Sequence, residues 1–148
     1  MCPSENSAHV TEPLRLLRQH RADRAERLLH IKRMELRALS LSIEQARSAV
    51  EQARQDQTRQ QDELTDRYQG QVVSPRILSG WDESQRQWAT QTAQHASALQ
   101  ALLEQQRVVA THVESARLYA GECLKKVEKL LELSVLLAEE AGCQGHQE

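Results

Sequence analysis

The chain has 148 residues, a formal net charge of −2, 39% hydrophobic residues and 3% aromatic residues. With five Gly and three Pro, this composition is typical of long helices and excludes a β-sandwich or barrel, which requires turn residues and aromatic or β-branched runs. The near-neutral charge disfavours binding to nucleic acid, and no apolar run approaches the roughly 20 residues of a membrane span.

The first predicted element is a flexible N-terminal arm, residues 1–12, whose side chains are small and polar. Neither Gly nor Pro interrupts the sequence from Leu14 to Tyr68. We therefore predict one long helix over residues 13–68, with Pro13 in its first turn, where a missing N–H group costs little.

A cluster of helix breakers follows and predicts a turn over residues 69–80. The second predicted helix covers residues 81–141 and is capped at its start by Ser79 or Asp82. Residues 143–148 are expected to form a polar tail.

The apolar residues of both predicted helices recur at alternating spacings of three and four, the pattern of a coiled coil. In the second helix the more apolar row includes His95 and Cys123. In the first helix the pattern is regular from Leu29 onward. Before this residue we expect a slip of the frame that places four residues on a rotated stripe: Leu14, Leu17, Ala25 and Leu28.

Two helices of similar length joined by a turn predict an all-α fold, an antiparallel coiled-coil hairpin that forms a monomeric rod of roughly 80 Å. Residues 13–37 carry eight Arg or Lys and three Asp or Glu, and residues 122–140 carry three Lys and five Glu. An antiparallel arrangement places these segments side by side, so we expect ion pairs between them. Polar residues such as Gln57 and Thr92 predict that the half near the turn is the weaker one, because it buries little apolar area.

Apolar residues near the end of the second helix exceed the single stripe that a two-helix hairpin buries. Leu131 and Leu136 project from this stripe, whereas Leu130, Leu133 and Leu137 lie on or beside it. Because a wider apolar surface requires a further partner, we expect Leu131 and Leu136 to bind another protein.

Arginines recur at every third position near the start of the first helix, beginning with Arg15, Arg18 and Arg21. They either pair with glutamates of the second helix or bind an acidic partner, and we take these three as candidate binding residues. RNA binding is disfavoured, because no aromatic platform accompanies the basic residues.

Three of the four aromatic residues, Tyr68, Trp81 and Trp88, surround the predicted turn. They either cap the hairpin or form a contact patch, since Trp and Tyr are favoured interface anchors. We take Tyr68 and Trp81 as candidate contact residues and expect Trp88, on the more apolar row, to pack inward.

The histidines and cysteines show no spacing typical of a metal site or of a disulfide framework. Cys123 is expected to fill the coiled coil as a small apolar side chain. No phosphate-binding loop or catalytic constellation is recognisable, so we predict no cofactor and no enzymatic activity. The unpaired cysteines favour a cytoplasmic location.

Three segments carry a resemblance to a known family: LLHIKR at residues 28–33, YQGQVVS at 68–74 and KKVEKL at 125–130. Together with the equal helix lengths, they resemble the central stalk proteins of bacterial type III secretion systems. This is the YscO/HrpO group, which is similar in plan to flagellar FliJ. The resemblance covers most of residues 14–141 and does not account for residues 1–12.

The resemblance implies a cytoplasmic hairpin, peripheral to the inner-membrane secretion apparatus, that docks into the pore of the hexameric secretion ATPase and links it to the export gate. It also implies that some members bind secretion chaperones and that some are themselves secreted. The resulting hypothesis is a non-enzymatic coupling protein with no nucleic-acid partner and no membrane insertion. The alternative is a self-associating coiled-coil scaffold or chaperone unrelated to an ATPase.

Overall fold

The fold consists of two long helices. The computed structural model describes the backbone of residues 3–145 and the side chains of residues 11–145. Helix α1 spans Pro3–Tyr68 and helix α2 spans Pro75–Gly145. The two helices pack against each other and no strand occurs among the described residues, so the predicted all-α hairpin is confirmed.

Helix α1 begins earlier than predicted. The segment predicted as a flexible arm, residues 1–12, is helical from Pro3 onward, and residues 1 and 2 lie outside the described residues. The helix continues through Pro13, whose ring removes one backbone hydrogen bond. No other Pro and no Gly lies between Pro3 and Pro13. The loss of one backbone hydrogen bond at Pro13 is therefore too small a disturbance to end the helix.

The bend between the helices is shorter than the predicted turn over residues 69–80 and comprises residues 69–74. Gly70 has a φ angle of 76°, in the left-handed region that glycine adopts without strain. The backbone N–H of Gln71 donates to the carbonyl of Tyr68 at 3.2 Å. One left-handed glycine and one turn hydrogen bond thus end α1.

Ser74 caps helix α2, and the predicted caps Ser79 and Asp82 lie inside the helix instead. The backbone N–H of Ile77 donates to the Ser74 hydroxyl at 3.4 Å and to its carbonyl at 3.1 Å. Pro75 occupies the first helical position, where its missing N–H group would have no partner. The Ser-Pro pair therefore decides the start of α2.

Helix α2 also ends later than residue 141, at Gly145. The first three residues of the predicted tail, 143–145, are helical, and residues 146–148 lie outside the described residues. A single glycine such as Gly142 costs a helix only about 1 kcal/mol, which explains why α2 continues past it.

The chain divides into two units, each built from a segment of both helices. The terminal unit comprises Met1–Glu35 and Val109–Glu148, and the bend unit comprises Leu36–Val108. The core of the terminal unit consists of small and medium side chains, with Val113 packed against them: Ala22, Ala25, Leu29, Ala116, Ala120, Cys123 and Val127. Cys123 fills this core as predicted.

The predicted slip of the frame in α1 does not occur directly before Leu29. Ala22 and Ala25 continue the buried row before Leu29, and both are at most 3% exposed. Of the four residues expected on a rotated stripe, Ala25 is buried, Leu14 is half-buried, and Leu17 and Leu28 are exposed. The core of this unit combines alanine from both helices with Leu29, so burial follows position in the row and not the size of the side chain.

The bend unit buries fewer residues. Its buried side chains, Leu39, Ile43 and Val50, lie in the first part of its α1 segment, and no residue from 51 to 108 is buried. The Thr92 hydroxyl donates to the Gln57 side-chain oxygen at 3.1 Å between the helices. This agrees with the prediction of little apolar burial near the turn.

Candidate interaction surfaces

An exposed apolar surface covers the last turns of α2. Leu131 is 44% exposed and Leu136 is 57% exposed, as predicted for residues that project from the buried row. Together with Val135 they line a shallow groove that also contains two acidic side chains, Glu132 and Glu139. An apolar floor with carboxylates beside it can receive an apolar side chain that has basic neighbours.

The excess of apolar residues explains why this surface is exposed. The buried row of α2 takes Val127 and Leu130, and then the half-buried Ser134 and Leu137. The other apolar residues in the last turns of α2 lie outside this row. Leu133, which was expected on or beside the row, is 48% exposed and enlarges the surface instead.

The three candidate arginines of α1 have different surroundings. Arg15 forms an ion pair of 2.7 Å with Glu12, and this hydrogen bond raises the pKa of Arg15. Arg18 is half-buried, and its guanidinium donates to the backbone carbonyl of Lys126 at 3.0 Å. Arg21 is exposed. The first two arginines are therefore engaged within the chain, and Arg21 is the one of the three without an ion pair or side-chain hydrogen bond among the described residues.

The observed ion pairs do not follow the predicted pairing between helices. Each of the five ion pairs among the described side chains joins two residues three apart on one helix. Two exposed side chains on one helix turn already lie close together, so less side-chain freedom is lost than in a pair between helices. The hydrogen bond from Arg117 lowers the pKa of Glu114 in one of these pairs.

The aromatic residues at the bend contact each other. The rings of Tyr68 and Trp81 meet edge to face, with centroids 5.4 Å apart and an interplanar angle of 74°. Both residues are half-buried. The Trp81 Nε1 atom is buried and has no hydrogen-bond partner among the described residues. This arrangement fits the capping role, and the exposed part of each ring remains available for contact.

A polar groove lies between the two helices of the bend unit and was not predicted. Five glutamines line it, together with Trp88 and His95. Trp88 is half-buried, in line with the expected inward packing, whereas His95 is exposed although it was expected in the buried row. The recurrence of glutamine at helical spacing was the available signal for this groove.

The structure shows no metal site among the described residues: no group of three or more His, Cys, Asp or Glu side chains could hold an ion. Cys123 is a buried thiol and Cys143 an exposed one, while Cys2 lies outside the described residues. No helix within residues 3–145 is long and apolar enough to cross a membrane.

Comparisons with family models, with curated proteins and with solved structures returned no match to this chain.

Proposed function

We propose that the chain is a non-enzymatic stalk, or coupling component, of a bacterial type III protein secretion apparatus. The observation that carries the proposal is the exposed apolar surface around Leu131 and Leu136, because an exposed apolar surface beyond the needs of the fold marks a partner site. The resemblance of the sequence to type III secretion stalk proteins implies that the partner is the hexameric secretion ATPase.

In this proposal the two units have different partners. The terminal unit binds the ATPase through Leu131 and Leu136, with Arg21 facing acidic side chains of the partner. The bend unit contacts the export gate or a secretion chaperone through Tyr68 and Trp81. The proposal places the chain in the cytoplasm, at the inner-membrane secretion apparatus, and includes its own secretion as an expectation.

Binding to the ATPase tests the proposal. We expect Leu131→Glu combined with Leu136→Glu to retain helical circular dichroism and to lose binding to the purified ATPase, measured by isothermal titration calorimetry. Leu118→Glu is the matched control, because Leu118 is 54% exposed and lies in the terminal unit outside the groove. If the wild-type chain does not bind the ATPase, the stalk function is wrong.

The same surface also suits the alternative, a self-associating scaffold or chaperone unrelated to an ATPase. A leucine surface that binds unfolded polypeptide would favour this alternative. Suppression of client aggregation by the wild-type chain, lost in the double variant, would identify it.

A further inference from the structure

The two exposed flanks of the terminal unit differ in charge. In heptad notation the buried residues occupy positions a and d, while positions g and c form one flank of a helix and positions e and b form the other. Ala22 and Ala25 take positions a and d in α1, and Ala120 and Cys123 take them in α2.

One hydrogen bond shows how the flanks of the two helices align. Arg18 at position d of α1 donates to the carbonyl of Lys126 at position g of α2. Since position d lies beside position g on a helix, the g and c positions of both helices lie on the same side of the unit. The e and b positions therefore lie together on the opposite side.

The side formed by positions g and c is basic. On this side Glu122 and Glu140 are the exposed carboxylates without an ion pair among the described residues. They are outnumbered by four exposed cations, Arg21, Arg24, Lys126 and Lys129, which define the basic flank. None of their charged groups has a carboxylate partner among the described residues. Leu17 and Leu133 lie on this flank and are about half exposed.

The opposite side is acidic. The acidic flank is defined by Asp23, Glu26 and Glu128, all exposed and without an ion pair among the described residues, and these outnumber one exposed cation of the same side, Arg33. Leu16 and Leu131 lie on this flank and are 60% and 44% exposed. Each flank thus combines unpaired charges with exposed leucines, and the net charges of the unpaired groups on the two flanks have opposite signs.

The two flanks also match in position along the helices. On α1 the acidic residues Asp23 and Glu26 alternate in sequence with the basic Arg21 and Arg24, and on α2 Glu128 lies between Lys126 and Lys129. The leucines match as well, because 16 is adjacent to 17 and 131 is two residues from 133. A copy of the unit placed beside another in the same orientation therefore brings opposite charges, and leucines, to the same level.

We propose that two copies of this chain associate through their terminal units, with the basic flank of one copy on the acidic flank of the other and both in the same orientation. The contact joins two different surfaces, so further copies can add to either free flank. Charge complementarity selects the second copy as the occupant, and the leucines of the two flanks pack against each other. Arg21 and Leu131 are also assigned to the ATPase in the proposed function, so these residues bind either the ATPase or a second copy at one time. The test of self-association needs only the purified chain, so its outcome does not depend on the ATPase.

Sedimentation velocity over a range of protein concentrations tests this association. We expect wild-type self-association at about 0.1 M salt and its weakening at about 1 M salt, because the screening length falls from about 10 Å to about 3 Å. A wild-type chain that stays monomeric at the lower salt concentration would overturn the inference.

Charge reversal identifies the flanks. The basic-flank variant, Arg21→Glu with Arg24→Glu, and the acidic-flank variant, Glu26→Arg with Glu128→Arg, should each weaken self-association by on the order of tenfold or more. An equimolar mixture of the two variants should associate again, because each then offers the flank that the other lacks. The inference is overturned if each variant by itself associates as strongly as the wild type does. It is also overturned if the mixture of the two variants stays monomeric.

The matched control reverses two arginines of the bend unit, Arg47→Glu with Arg54→Glu, both of which are exposed. It changes the net charge as much as the basic-flank variant does and should retain wild-type association. Circular dichroism of every variant should show the wild-type helix content, so that a change in association is not a loss of fold.

Discussion

The terminal unit and the bend unit are built from the same two helices but bury different kinds of side chain. In the terminal unit, alanine, valine, cysteine and Leu29 form a continuous buried core, while several other leucines remain exposed. In the bend unit, burial stops at Val50, and a glutamine-rich groove lies between the helices. The difference shows that one coiled coil can bury a continuous row in one segment and few residues in another, and that large apolar side chains outside the row stay on the surface.

The largest contrast that this comparison predicts lies between two adjacent leucines of α2. Leu130 is 3% exposed and Leu131 is 44% exposed. Leu130→Ala should lower the free energy of unfolding by about 2–5 kcal/mol, because it removes buried methyl groups and leaves a cavity. Leu131→Ala should change it by about 0.5 kcal/mol or less. Urea denaturation followed by circular dichroism measures both free-energy changes. Equal losses of stability would contradict the assignment of Leu130 to the buried row and of Leu131 to the exposed surface.

A smaller effect is expected in the polar part of the bend unit. Replacing both partners of the bond between Thr92 and Gln57, by Thr92→Val with Gln57→Leu, should leave the free energy of unfolding unchanged or raise it by about 1 kcal/mol. Thr92→Val alone should be less stable than the double variant, because the Gln57 amide loses its partner. A double variant clearly less stable than the wild type would show that the polar contact stabilises this unit, contrary to the comparison.

The smallest effect concerns the ion pair of Glu114 and Arg117 in the terminal unit. The pKa of Glu114 is lowered by the hydrogen bond from Arg117. A lowered pKa in the folded state means that the stabilisation is present above the ordinary carboxyl value and is lost as the pH falls through the folded value. A carboxyl titration by NMR should show the Glu114 pKa rising toward its ordinary value in Arg117→Gln. Arg59→Gln, in the bend unit, is the control and should leave it unchanged.

The sequence was most informative about the helices and the buried row of α2. The recurrence of apolar residues at spacings of three and four correctly predicted that Val109, Ala116, Cys123 and Leu130 are buried, as well as the all-α hairpin itself. This row is regular over many turns, and a long periodic pattern outweighs local exceptions.

The helix ends and the start of the α1 row were predicted less well. The rule that glycine and proline break helices extended the turn to residue 80, although Ser74 and Pro75 start the helix earlier. The predicted stripe grouped the buried Ala25 with Leu17 and Leu28, which are exposed. Local rules give each residue its preference, but they carry no information on the distance between two helices.

The candidate binding residues were also only partly predictable from the sequence. Sequence alone predicted that Leu131 and Leu136 are exposed, because the number of apolar residues exceeded the room in one buried row. Only the packing of the two helices showed that Arg18 reaches a backbone carbonyl, whereas Arg21 has no ion pair within the part of the chain that the structure describes. Which polar groups become paired depends on how closely the helices approach.

The sequence by itself determined that this chain forms two long helices and that they pair, because helix propensity and apolar periodicity are local properties of the chain. Only the tertiary structure decided which side chains fill the interface, since Ala22 and Leu29 are buried whereas Leu17 and Leu28 are exposed. The net excess of unpaired cations on one flank of the terminal unit and of unpaired carboxylates on the other, among the described residues, likewise follows from the register between the helices, which is set by packing across the interface.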